Sequence, residues 1–521
     1  FYISTLNAVN GPLRGTTAGA LGHGHLNATI IAGATPYGPL DSLFYNYGIG
    51  VAPRANILSI PRNRLGYTGT DEQVYNDSVV TPGPNGAGAL ISNNSWGNGT
   101  NGNVYTSTVE GRFDGYVQDA SLDIGIDPIS LIFSAGNDGA NGLTRPKVAK
   151  NLISVGNSES LRTDLGGTDA NNIDDLSSDS SRGPTADGRI KPDVVAPGTA
   201  ITGGRSGTDS LRGNIGTAHR WSSGTSHSAA HVTGMAALFA NWWYVSQFVR
   251  PSPALIKAAI INSAIDMNGA NSSASIPNGS EGWGRPNLKN MLNTGVGMKH
   301  HNDDLVGLSA PGQGFFINGS VADANKPVRV TLVWTDPPGL ADPALVNNLD
   351  LKVTVDGVVY KGNVFSNGFS VPGGTADNRN NVENVFLPAG TPVGRGLQVE
   401  VTATALNGDG ILNNGDATDQ AFSVVIYNYS SQAAPAFYNV SGQVRSANGR
   451  GIGMARVRFT NSQGITREVF SNPLGYYSFT QLAGNQNYTV NVVSKRYTFA
   501  QRVEPVNGNI SNLNITSTGT P

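Results

Sequence analysis

The sequence predicts an α/β domain built on a parallel sheet with helices on both faces, followed by two β-sandwich domains. Three observations carry that prediction. Up to about residue 295, short runs rich in Ile, Leu and Val alternate with longer segments, as βα units do. Beyond about residue 305 the apolar residues alternate roughly with period two between turn residues, the pattern of antiparallel strands. The chain has 521 residues, and cores stop growing at roughly 250–300 residues.

In the first region the runs at 55–60, 88–93, 129–134 and 152–156 mostly end near Gly, Asn or Ser. They read as strands buried on both faces, with ligand loops at their carboxyl ends. Residues 226–244 have helical character, with apolar spacing at Val232, Met235 and Leu238. Residues 253–262 predict a second helix, with Ser252 as N-cap and Pro253 in the first position. Runs at 327–334, 349–355, 397–403 and 421–427 then predict an antiparallel sandwich. A linker at 430–435 leads to runs at 440–444, 455–460, 476–480 and 488–493, with Asn448-Gly449 and 473–475 as turns. The expected domains are 1–300, 301–430 and 438–521.

Composition excludes several function classes. A net charge of −2 leaves no electrostatic footprint for nucleic acid or an anionic membrane. No apolar run reaches the roughly 18–20 residues that span a bilayer; the richest, around 235–245, is broken by Asn241. The absence of cysteine removes disulfides, thiolate zinc sites and a cysteine nucleophile. Low charge with abundant Asn, Ser, Thr and Gly is expected of a secreted or extracellular protein, bacterial in origin. No signal peptide is visible, and Phe1-Tyr2-Ile3-Ser4 lacks a basic start; the chain is expected to begin after processing.

Three segments carry chemistry. Gly224-Thr225-Ser226 enters an Ala-rich stretch, placing a hydroxyl at a helix N-terminus, where the dipole and N–H groups favour developing negative charge. His23 lies between Gly22 and Gly24, which let other backbone approach the ring. The run 132–139 carries a buried strand out to Asn137, whose amide can be aimed as an oxyanion donor. Taken singly, these read as an N-cap, a structural histidine and a strand-ending turn.

Together they resemble the subtilisin-like serine proteases. His23 sits in a Gly-His-Gly motif, Asn137 in Ala-Gly-Asn and Ser226 in Gly-Thr-Ser, in the family's order. Gly50-Val51-Ala52-Pro53, Ser181-Arg182-Gly183-Pro184 and the stretch 191–198 agree. The resemblance covers roughly residues 15–295 and implies a subtilisin-like parallel sheet. It implies that Ser226 attacks a peptide carbonyl, His23 shuttles the proton, and Asn137 with the Ser226 N–H holds the oxyanion; subtilisin is the source of that scheme. It also implies that Ser95, Trp96 and Gly97 pair with an extended substrate, faced by Ser134, Ala135 and Gly136. With no acidic residue in that wall, broad or apolar specificity is expected. The substrates are polypeptides and the chemistry requires no cofactor.

The chain also departs from the family. His25 and Leu26 replace the usual Thr and His, and His227 and Ala230 the usual Met and Pro. The family's acid precedes the histidine, yet residues 1–22 contain neither Asp nor Glu. The expectation is an upstream peptide of the same precursor that supplies the Asp; the rival is a non-catalytic surface-assembly protein on a subtilase scaffold. His227 and His231 at i and i+4 have a metal-ligand spacing but lack the Glu of His-Glu-x-x-His.

In the β region, 333–338 and 345–351 resemble the jelly-roll, P-domain-like sandwich that follows the catalytic domain of the large alkaline proteases, with a packing role. Residues 438–521 resemble the carboxypeptidase-regulatory-like, transthyretin-type sandwich. Asn407-Gly408-Asp409-Gly410, with Asp416 and Asp419, reads equally as a calcium loop and as a polar hairpin; a structural calcium is expected without assigned ligands.

Overall fold

A computed structural model of the chain describes residues 3–5, 22–34, 40–41, 44–60, 69–83, 86–205, 213–272, 274–292, 295–391, 396–431, 437–461, 464, 466–484 and 486–519. Most of the expected linker, 432–435, lies outside them. The chain divides into two compact units, Phe1–Ser430 and Ser431–Pro521.

The first unit is organised on four parallel strands in sequence order: β1 (Ile91–Asn94), β2 (Ser130–Ser134), β3 (Ile153–Ser158) and β4 (Val194–Pro197). Five helices bear on the sheet and its site: α1 (His23–Ala32), α2 (Asp71–Val80), α3 (Arg112–Gln118), α4 (Thr225–Gln247) and α5 (Pro253–Ser263). Every residue of β2 and β3 is buried, which requires cover on both faces. Leu131 and Phe133 of β2 pack with Val74 and Tyr75 of α2 and Phe113 and Tyr116 of α3. Ile132 points the other way, into a cluster with Val155 and with Ala229, Val232 and Ala236 of α4. The period-two alternation of a strand thus sends helices to both sides.

Local chemistry sets the helix starts. Thr70 and Gln73 form a reciprocal capping box on α2. Ser252 Oγ accepts the Leu255 N–H at 3.0 Å, and Pro253 opens α5. All eleven residues of α5 are buried, Lys257 included, so this helix is a core element and not an amphipathic cover.

What buries α5 is the antiparallel region, which begins at Met298. One of its sheets has four strands, ordered 298–308, 420–427, 328–333, 382–387; the other has five, ordered 358–361, 348–355, 396–405, 314–321, 429–430. Asn348–Val355 alternates between buried and half-buried residues along its whole length. Trp334, Leu351, Val401, Phe422 and Val424 fill the space between the sheets. Val333, Val382, Phe386 and Val425 instead join the cluster containing α4 and α5, so the core runs continuously from the parallel sheet into the sandwich. Asn262 of α5 donates to Thr331 Oγ1 at 3.0 Å and to the Val425 carbonyl at 3.1 Å. Lys150, fully buried, pairs with Asp336 at 2.7 Å and donates to the carbonyls of Pro337 and Ala344 at 2.7 Å each.

The second unit has a core of its own around Val440, Val457, Phe459, Phe479 and Val490. It lies between a three-stranded sheet (476–483, 437–445, 515–516) and a four-stranded one (466–470, 456–461, 486–493, 502–506). Among the described residues no helix is long and apolar enough to cross a membrane.

Candidate active site

β1 and β2 are parallel neighbours, with Asn94 opposite Phe133. Their carboxyl ends therefore release Ser95-Trp96-Gly97 and Ala135-Gly136-Asn137 at the same edge of the sheet, where ligands bind in open α/β sheets. The start of α4 meets both segments. Gly224, at φ 141° and ψ 160°, makes the sharp entry, in a region open to glycine.

Asn137 acts on this helix start from outside. Its Oδ1 accepts from the Thr225 N–H at 2.9 Å and from Thr225 Oγ1 at 2.8 Å. Thr225 Oγ1 in turn accepts from the Gly136 N–H at 3.3 Å. With Oδ1 engaged, the amide group of Asn137 that remains for an incoming anion is Nδ2, a donor. Asn137 is exposed and Ser226 half-buried.

Ser95 Oγ donates to the Ser226 carbonyl at 2.8 Å and accepts from Asn93 Nδ2 at 3.0 Å. Trp96 is held edge-on against Phe133, with ring centroids 5.0 Å apart, and its Nε1 donates to Asn94 Oδ1 at 3.2 Å. On the facing segment, Ser134 and Ala135 are buried, and the N–H and C=O of Ala135 are engaged by Val155 and Thr144. The Gly136 carbonyl accepts from the Ser181 N–H. This side is a wall, with its backbone already paired. Lys147, fully buried, lies beside it: a Cβ on Gly97 would stand 2.0 Å from Lys147 Nζ, which donates to Thr144 Oγ1.

His23 opens α1 next to Gly22, which has φ 65°. Gly22 is thus required by its backbone. A Cβ on Gly24 would meet nothing within 4 Å among the described residues, so the close approach expected at both flanking glycines is not seen at Gly24. The carboxyl end of α1 is tied down by the 50–53 turn, whose Val51 and Ala52 N–H groups donate to the carbonyls of Ile30 and Ile31. The turn also fits α4: a Cβ on Gly234 would lie 2.5 Å from that of Val51.

The His23 ring lies 5.9 Å from the ring of His227, centroid to centroid. His23 Nε2 is 3.4 Å from Asn27 Nδ2, and Asn27 Oδ1 is 2.8 Å from His227 Nδ1. Among the described residues no hydrogen bond joins Ser226 Oγ to His23. Burial, followed by the charges of His23, His231 and Arg220, pushes His227 down to about 3. His231 is also lowered by burial, and its Nδ1 bonds the His227 carbonyl at 3.0 Å. His231 also bonds the Pro197 backbone.

Three consecutive residues of one helical turn therefore gather the site: Thr225 holds Asn137, the Ser226 carbonyl holds Ser95, and His227 faces His23. Asn27, Thr225 and Lys147 are functional candidates that sequence reasoning missed. The i, i+4 spacing of His23 and Asn27 was the available signal for one of them.

In the expected calcium loop, Asp419 Oδ1 accepts the N–H groups of Gly410 and Ile411, and Oδ2 accepts from Asn414. Asp416 Oδ1 accepts from the Thr418 N–H. Among the described residues no group of three His, Asp or Glu side chains is disposed for a metal ion.

Residues 9–284 match the profile of the subtilase family, and residues 439–518 that of the carboxypeptidase regulatory-like domain. The chain is similar to the Serine protease/ABC transporter B family protein tagA of Dictyostelium discoideum, at 31% identity over an alignment of 282 positions that covers 47% of this chain and 15% of that protein. It is similar to Serine protease AprX of Bacillus subtilis (strain 168), at 36% identity over 117 residues, covering 21% of this chain and 25% of that protein. The match thus spans only a minor part of either relative. Similar solved structures include the Prenylagaramide maturation protease PagA, at 20% identity and a TM-score of 0.36 over 51% of this chain and 79% of that one. A cold adapted subtilisin-like serine proteinase follows at 20% identity and a TM-score of 0.34, over 51% and 76%.

Proposed function

The chain belongs to the subtilase family, and on that footing we propose that it is a secreted serine endopeptidase. Ser226 Oγ attacks the scissile carbonyl. His23 takes its proton and returns it to the leaving amine. Asn137 Nδ2 and the Ser226 N–H receive the oxyanion. The scheme is that of the subtilisins, carried over with family membership. The scheme needs a carboxylate to orient His23. No cofactor takes part.

The observation that supports this reading best is the convergence on one turn of α4, where Asn137, Ser95 and His23 meet residues 225, 226 and 227. Polypeptide substrates lie between 95–97 and 134–136, and specificity is broad.

A second reading is favoured by one observation. His23 Nε2 faces Asn27 at 3.4 Å and not Ser226 Oγ, as in a non-catalytic scaffold. One experiment separates the two. A peptidyl phosphonate should label the protein at Ser226, seen as a mass increase absent from Ser226→Ala, while a zinc chelator changes nothing. A peptide ester should be cleaved once an upstream Asp-bearing peptide is present. Absence of labelling in that reconstituted protein favours the scaffold.

A further inference from the structure

We propose that Asn27 and His227 are positioning residues that fix which ring nitrogen of His23 carries the proton. The proposal rests on the reading of His23 as the general base.

His227 is 1% exposed. A buried imidazole without a counter-charge stays neutral and has one N–H to place. Its Nδ1 lies 2.8 Å from Asn27 Oδ1, an atom that only accepts, so the proton is on Nδ1. That bond fixes the Asn27 amide, itself 3% exposed, and leaves its NH₂ towards His23 Nε2 at 3.4 Å. An amide NH₂ only donates. The nitrogen it faces must therefore present its lone pair, and the proton of neutral His23 resides on Nδ1.

This is the tautomer a general base needs. Nε2 must be unprotonated to accept from Ser226 Oγ, and Nδ1–H must be available to an orienting carboxylate. The 3.4 Å contact is long for a hydrogen bond, so the shorter bond to a serine hydroxyl displaces it when substrate arrives. Once Nε2 carries the proton, its N–H meets the Asn27 N–H donor to donor, which favours handing the proton on to the leaving amine. His227 occupies one of the positions where the sequence departs from its family, and Asn27 is the group through which that departure reaches the base.

The test reads the ring nitrogens directly. The full chain is labelled with ¹⁵N-histidine, and long-range ¹H–¹⁵N correlations are recorded at mildly alkaline pH. The His23 signals are identified by their loss in His23→Gln. In the unaltered protein, His23 and His227 should both carry the proton on Nδ1. Asn27→Asp puts an acceptor where the donor stood and should move the His23 proton to Nε2. Asn27→Leu, a volume control, and His227→Phe should leave a mixture. A thermal unfolding curve reports whether each variant is folded; should Asn27→Asp fail to fold, His227→Phe carries the test. The proposal is overturned if His23 is Nε2–H in the unaltered protein, or keeps one tautomer in every folded variant.

In the phosphonate assay, Asn27→Asp should react at least about tenfold more slowly, which corresponds to about 1.4 kcal/mol, while peptide affinity changes little. If phosphonate never labels Ser226 but the tautomers shift as stated, the proteolytic reading fails and the positioning inference survives.

Discussion

Asn137 illustrates how one side chain is aimed before any substrate arrives. Both Thr225 donors engage its Oδ1, so the Nδ2 end cannot rotate away without losing them. Asn137→Leu should lower kcat by about 10²–10³ with KM little changed, a magnitude taken over from the corresponding donor in subtilisin; steady-state kinetics on a peptide ester decide it. Lys147 makes a separate prediction. Its Nζ adjoins Gly97 and the side chain is fully buried, so it supports the 95–97 segment by packing. Lys147→Ala removes that packing and should destabilise the protein by about 2–5 kcal/mol, read by urea unfolding. An unchanged midpoint would remove Lys147 from this supporting role.

At the level of elements, α4 joins the two regions. His300, on the 298–308 strand, is ringed by Phe239, Trp242 and Trp243 of α4 at centroid distances of 5.4–5.9 Å. Burial, then Lys299, pushes this imidazole down to about 4. Above its ordinary value neither folded nor unfolded chain binds the proton. Between about 6.5 and about 4 only the unfolded chain does, so stability falls as pH falls through that window. The slope is about 1.4 kcal/mol per pH unit for one such group. Glu281, raised to about 7 by burial, opposes it, since its share of stability is full below about 4.5 and lost as pH rises through 7. The two windows overlap, so His300→Phe should leave Glu281 unopposed and make the urea midpoint rise more as pH falls from about 7 to about 4.5; parallel curves for variant and parent would refute this.

The same elements show where sequence reading ends. Strand 348–355 was legible because its period-two pattern survives as alternating burial. The start of α5 was legible because Ser252 and Pro253 act locally. Its total burial was not, because the Asn262 amide finds the Val425 carbonyl 163 residues away. His23, Asn137 and Ser226 stood out by motif. The Asn27–His227 bond spans 200 residues, and no local pattern encodes it. His227 was visible only as an unexpected residue.

Across the molecule, the two compact units should respond differently to truncation. A chain ending at 430 keeps the core of the first unit and should melt like the parent's first unit. A chain ending at 300 strips Val333, Val382, Phe386 and Val425 from the α4–α5 cluster and takes Asp336 and the Pro337 and Ala344 carbonyls from Lys150, which keeps Asp114 at 3.7 Å. Breaking such a pair alone costs about 3–5 kcal/mol, so this product should be unfolded by calorimetry and circular dichroism. A cooperative transition in the shorter chain would refute the shared core.

The seam between the sheets also governs timing during synthesis. A ribosome adds roughly 5–20 residues per second, and Val425 emerges about 200 residues after Ser226, which at that pace is roughly 10–40 seconds. Throughout that interval the inner helix has no outer wall. The turn that carries Ser226 therefore waits on a strand made long after it, and the shared core closes only when most of the chain has left the tunnel.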